Sequence, residues 1–148
     1  MAEQATASAL RALADRIEMA GEPSRELDLA IARITGALGH ASGLADKLFL
    51  ERPIPPCHFL PYTLGLNSAV QLVPAGWRWS VSVFRRMATD GAWMSDAFVV
   101  PADRPARIGQ GLNENAEAEV YGLYHAVALC AAALRARAAV MEASQHAR

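Results

Sequence analysis

An alanine-rich segment near the C-terminus constrains this chain more than any other feature. Its centre reads Leu123-Tyr124-His125-Ala126-Val127-Ala128-Leu129-Cys130-Ala131-Ala132-Ala133-Leu134-Arg135-Ala136-Arg137-Ala138-Ala139. Ala has the highest helix propensity and loses least side-chain entropy, so the composition predicts a helix over residues 115–143. Val120, Leu123, Val127, Cys130, Leu134, Ala138 and Met141 recur at spacings of three and four and form one apolar face. Such a face is stable only when buried, so the other elements should pack around it.

A length of 148 residues suits one core. A net charge of -1 with 20% charged residues argues against a general nucleic-acid binder, which carries a basic excess. The longest apolar run, residues 127–134, is far shorter than the roughly 20 residues that span a bilayer, so no membrane association is expected. Met1-Ala2-Glu3-Gln4 lacks a basic start followed by an apolar stretch, so no export signal is expected and the setting read is cytoplasmic. Cys57 and Cys130 then read as free thiols.

Residues 3–20 read as a helix whose apolar stripe, Leu10, Leu13 and Ile17, is thin, which suits a peripheral helix or one facing a partner chain. Ser24 reads as the N-cap of a second helix bearing Leu27, Ile31, Ile34 and Leu38 on one face, with Gly36 and Gly39 ending it. A short element follows at residues 44–50. Pro53, Pro55, Pro56 and Pro61 mark a stiff loop. Thr63 reads as the cap of a short helix carrying Leu66, Val70 and Val73. Trp77-Arg78-Trp79-Ser80-Val81-Ser82-Val83-Phe84 alternates and predicts a strand. Thr89-Asp90-Gly91 is a turn signal, and residues 92–100 predict the returning strand of a hairpin. A hairpin alone is marginal in water, so a third strand is expected near Ala106-Arg107-Ile108. Asn113 or Asn115 then caps the last helix, Glu117 and Glu119 sit in its first turns, and Gly122 can divide it.

Three blocks resemble a family of small phage and prophage proteins, the phage ABA sandwich domain. They are Arg25-Glu26-Leu27-Asp28-Leu29-Ala30-Ile31-Ala32, then Pro61-Tyr62-Thr63 through Ala69, Leu72, Val73, Pro74, Gly76-Trp77 and Trp79-Ser80-Val81, and finally residues 128–137. Together they span most of residues 24–139. The resemblance implies helices flanking a small sheet and a phage or prophage origin; it implies no established activity. The acidic lead-in at residues 113–119 and the first 20 residues fall outside it. The reading is one α+β domain over residues 23–148, several helices around a small antiparallel sheet in an α-β-α sandwich-like arrangement with the C-terminal helix central. An additional N-terminal helix occupies residues 1–22.

Chemistry-bearing residues are sparse. Cys57, His58, His40 and His125 lack the paired spacing of a zinc site. Cys130 falls on an apolar helix face, where a thiol is a small core residue. No nucleophile elbow, metalloprotease helix, phosphate loop or dinucleotide fingerprint occurs, and Gly109-x-Gly111 is followed by acidic residues that repel an anion. A non-enzymatic protein without cofactor is expected. Arg78, Arg85 and Arg86 flank a Trp-rich strand, and arginine forks with aromatic faces suit a nucleotide-sized ligand. Tyr62, Asn67, Arg78, Trp79, Arg85 and Arg86 are the candidate ligand-binding residues. The expected partners are a host protein or such a ligand, with host defence as the phage-context target. An interaction module in phage replication or particle assembly is the alternative. The first and last helices are the expected contact in a homodimer.

Overall fold

A computed structural model describes residues 5–37, 59–103 and 116–147. Within them the chain forms α1 (Ala7–Ala20), α2 (Arg25–Thr35), α3 (Leu66–Val70), β1 (Trp77–Arg85), β2 (Trp93–Pro101), β3 (Glu117–Tyr121) and α4 (His125–His146). The strands make an antiparallel sheet in the order β1-β2-β3, and α4 packs against it. This is an α+β fold with the C-terminal helix at its centre.

The burial of α4 exceeds one face. From Ala126 to Leu134 every residue is buried, as are Ala136 and Ala138. The sheet covers one side, α1 runs along another, and α3 abuts a third. Alanine makes this possible, since a methyl group lets three neighbours approach without steric conflict, and a helix apolar all round must be enclosed. The larger side chains Val127, Leu129 and Leu134 fill the gaps and are fully buried. Burial of each stabilises by about 1.5–3 kcal/mol.

The helix is shorter at its start than its alanine content predicts. Glu117 and Glu119 are not in its first turns: residues 117–121 form β3, paired with β2 through Ala118↔Ala97 and Val120↔Ser95. Charged and apolar side chains alternate here, with Ala118 and Val120 buried and Glu117, Glu119 and Tyr121 exposed. Gly122 then takes φ +88, a conformation that disfavours a Cβ, and a Cβ there would lie 3.2 Å from the Tyr124 ring. The sharp reversal sends α4 back across the sheet.

Helix α1 is not peripheral. Thr6 caps it by accepting from the Ala9 N–H at 3.0 Å. Leu10, Leu13, Ala14 and Ile17 are buried against α4. The thin stripe suffices because its partner presents alanines. Polar clasps fix the register. Arg11 donates to Glu142 at 2.7 Å. Arg135 donates to Asp15 at 2.7 Å, to Glu18 at 3.1 Å and to the Glu117 carbonyl at 2.6 Å. Glu18 also accepts from the Glu119 N–H at 2.8 Å, so one arginine ties α1, β3 and α4 together. Burial alone would lower the Arg135 pKa, but the bonds from Glu18 and Asp15 outweigh it and raise it above its ordinary value.

Ser24 caps α2, accepting from the Leu27 N–H, and Gly36 ends it. Thr63 does not cap α3, whose N-cap position is Gly65. Instead Thr63 is buried, and its N–H and hydroxyl both donate to Asp28 Oδ1, at 2.7 and 2.8 Å. Arg25 donates to the other oxygen of Asp28 at 2.7 Å, and the Ser24 N–H donates to the Thr63 hydroxyl at 2.9 Å. A fully buried carboxylate needs such partners, and these bonds fasten α2 to the segment entering α3. Neither Asn113 nor Asn115 caps the last helix, because β3 intervenes and the N-cap position of α4 is Tyr124. Leu38, Gly39, the element at residues 44–50, the prolines at 53, 55 and 56 and the third strand near residues 106–108 lie outside the described residues, as do Cys57, His58, His40 and the Gly109-x-Gly111 motif.

Candidate functional site

The hairpin strands β1 and β2 pair from Trp77↔Pro101 to Arg85↔Trp93. Alternation places Trp77, Trp79, Val81, Val83 and Arg85 on the face shared with Ser95, Ala97 and Val99, which is the face toward α4. Phe84 and Arg86 go to the opposite side with Met94 and Tyr121. At the sheet end where β1 finishes and β2 begins, Val83, Arg85 and Trp93 are exposed although they lie on the face toward α4.

This sheet end concentrates exposed aromatic and apolar side chains. Trp93 is 47% exposed, Tyr121 58%, Leu123 59% and Met87 76%, and Val83 and Tyr124 are also exposed. The Gly122 N–H donates to the Trp93 carbonyl at 2.7 Å, which ties the turn after β3 to the start of β2. Two arginines lie against the rings. The Arg85 guanidinium is 5.4 Å from the centre of the Trp93 ring, and its Nε donates to the Gly91 carbonyl at 3.2 Å. The Arg86 guanidinium is 5.7 Å from the Tyr121 ring, and its Nη1 donates to the Tyr121 hydroxyl at 2.7 Å. Ring and cation attract through the ring quadrupole, so each arginine is held over an exposed aromatic. No carboxylate among the described residues forms an ion pair with either.

The turn orients the pair. Arg86 N–H donates to Ala92 O, Gly91 N–H donates to Arg86 O, and Gly91 takes φ +69. The Ala92 N–H donates to the Asp90 carboxylate at 3.0 Å, which holds that carboxyl below its ordinary pKa; the charge of Arg86 adds to the effect. The turn is therefore built by backbone bonds, and the Arg86 side chain is left to reach across β2 to Tyr121.

The six candidate residues do not converge. Arg85 and Arg86 are at the sheet end. Trp79 is six residues from Arg85 along one strand, about 20 Å away, and is 38% exposed. Arg78 is exposed on the opposite face of β1. Asn67 is exposed on α3. Tyr62 is 3% exposed, inside the core, where its carbonyl accepts from the Cys130 thiol at 3.2 Å. Burial raises the Tyr62 pKa, and the nearby charge of Arg137 opposes that rise. The Cys130 thiol is pushed far up by burial, with Asp28 adding to it, so it is not a nucleophile at neutral pH. Among the described residues no group of three or more His, Cys, Asp or Glu side chains could hold a metal ion, and no helix is long and apolar enough to cross a membrane.

Trp93, Tyr121, Leu123 and Tyr124 are absent from the sequence-derived set. The missing signal was present in Glu117-Ala118-Glu119-Val120-Tyr121, whose strict alternation marks a strand and so exposes Tyr121. No family model, curated protein or solved structure matches the chain.

Proposed function

We propose that this chain is a non-enzymatic accessory protein of a phage or prophage, acting in the bacterial cytoplasm, and that its sheet end binds a host protein. The observation that carries the binding role is a pair of exposed cation–ring contacts at one end of the sheet, Arg85 over Trp93 on the face toward α4 and Arg86 over Tyr121 on the opposite face, with Leu123 and Met87 also exposed. Trp, Tyr and Arg are the residues that dominate binding energy at protein interfaces, and an exposed apolar cluster edged by charge marks such a surface. Two arginines that form no ion pair with a carboxylate among the described residues favour an acidic partner surface that offers an apolar anchor. The phage origin rests on the three sequence blocks, and host defence as the target rests on that origin.

A nucleotide-like ligand is the second reading. It is favoured by the same pairing of Arg86 with an exposed ring, since a base can stack on Tyr121 or Trp93 while a phosphate meets the guanidinium. A phage protein of replication or assembly would use the surface as a host protein would.

Photocrosslinking separates these readings. A benzophenone amino acid at Leu123 should give one discrete protein adduct in bacterial cells, whereas the same group at Met19, 88% exposed on α1, should not. With the adduct's protein purified, Arg86→Ala and Trp93→Ala should each weaken binding by at least about tenfold. Equal adducts from both positions, or affinity unchanged by both substitutions, would contradict a protein-binding sheet end. A melting shift with nucleotides that Arg86→Ala removes would favour the second reading.

A further inference from the structure

At the other end of α4 lies a cleft with different chemistry. It has a volume of about 350 Å³ and opens between α1, the end of α2, the turn after α3 and the last turns of α4. Its walls include Leu10, Ile34, Val73, Val140 and Met141, and Arg137 is the charged residue lining it. That volume is at the lower end of the range for small-molecule sites, and apolar walls with a few polar groups are their usual composition.

Arg137 is an unusual wall residue. It is partly buried, and desolvation lowers its pKa, although the neighbouring Tyr62 offsets part of this. Nε donates to the Leu72 carbonyl at 2.6 Å and Nη2 to the Gln71 carbonyl at 3.4 Å. These bonds fix the plane of the guanidinium at the end of α3. Nη1 has no partner among the described residues, yet no unpartnered side-chain nitrogen is fully buried, so Nη1 keeps some accessible surface. Arg11, Arg25 and Arg135 each meet a carboxylate; Arg137 meets none among the described residues. The nearest described carboxylate along α4, Glu142, is bonded to Arg11. A partly desolvated cation beside an apolar cavity, with one nitrogen of its fork accessible, is complementary to an anion that carries an apolar body.

We propose that this cleft binds a small organic carboxylate, its head on the Nη1 edge of Arg137 and its apolar body among Leu10, Ile34, Val73 and Met141. One cation supports one negative charge, which favours a monoanion over a phosphate ester. The wall residues offer contact but no pattern of hydrogen bonds, so the site selects for a head group and a length, not for a decorated molecule.

Calorimetric titration of the full chain with octanoate, hexanoate and 1-octanol tests this. Octanoate should bind with millimolar or better affinity, hexanoate more weakly, and 1-octanol at least about tenfold more weakly than octanoate, because it lacks the charge that meets Arg137. Arg137→Gln should remove the preference for octanoate over octanol. Val140→Trp, at a partly exposed wall position away from the Arg137 bonds, should block both ligands while leaving the fold intact. Equal affinity for octanoate and octanol, no octanoate binding at millimolar concentration, or octanoate binding unchanged by a folded Val140→Trp protein would overturn the proposal. Sheet-end substitutions such as Trp93→Ala should leave octanoate binding unchanged, so the two sites fail or stand separately.

Discussion

Three arginines of the helical layer pair with carboxylates, and among the described residues the two at the sheet end do not. Arg11, Arg25 and Arg135 each hold a carboxylate from their own or a neighbouring helix, and Arg135 joins three elements. Arg85 and Arg86 rest on exposed rings and meet no carboxylate at ion-pair distance among the described residues. The first set is organised to hold the fold. The second leaves charge and aromatic surface available together. On the proposed reading, stability and recognition reside at different places.

The largest break in this contrast comes from the core. Leu134→Asp puts a carboxylate into a site with 0% exposure and no donor provided for it. The chain should lose its cooperative melting transition, because an unpaired buried charge costs more than a domain's whole stability margin. Asp28→Ala comes next. It leaves the buried Thr63 N–H without its acceptor and removes one acceptor each from the Thr63 hydroxyl and Arg25, and should cost about 3 kcal/mol by denaturant titration. A loss of under about 1 kcal/mol would show that α2 is held by its apolar face alone.

The smallest effect lies at the α1–α4 clasp. Arg11 holds the Glu142 carboxyl below its ordinary pKa of 4.5. A carboxyl depressed in the folded state contributes stability above its unfolded value and loses it as pH falls through the folded one. Wild type should therefore be slightly more stable than Arg11→Ala at neutral pH, and the difference should shrink below about pH 4.5. Denaturation midpoints at neutral and acidic pH measure it; a difference that grows on acidification would contradict the assignment.

Local features were legible where their causes were local. Ser24 caps the helix that follows it, the turn at Thr89-Asp90-Gly91 joins the strands that alternation marks, and Val127, Cys130 and Leu134 are buried as their spacing requires. What sequence reasoning missed depends on distant partners. Thr63 looked like a cap because its acceptor, Asp28, is 35 positions away. In residues 117–121 the helix propensity of Glu and Ala competes with a period-two alternation, and pairing with β2 decides for the strand. With β3 misplaced, Tyr121 could not be seen beside Arg86, 35 positions earlier, and the sheet end had no visible aromatic wall. Tyr62 lies near the arginines in sequence only: it is buried in the core, next to Thr63, whose N–H donates to the buried Asp28.

One paired measurement on the double variant Arg86→Ala, Trp93→Ala tests the separation of stability from recognition most directly. Its melting temperature and its crosslinking through Leu123 would be read on the same preparation. The melting temperature should stay within about 2 °C of wild type while the adduct disappears. A melting temperature lowered as far as that of Asp28→Ala, or an adduct formed at the wild-type yield, would contradict it.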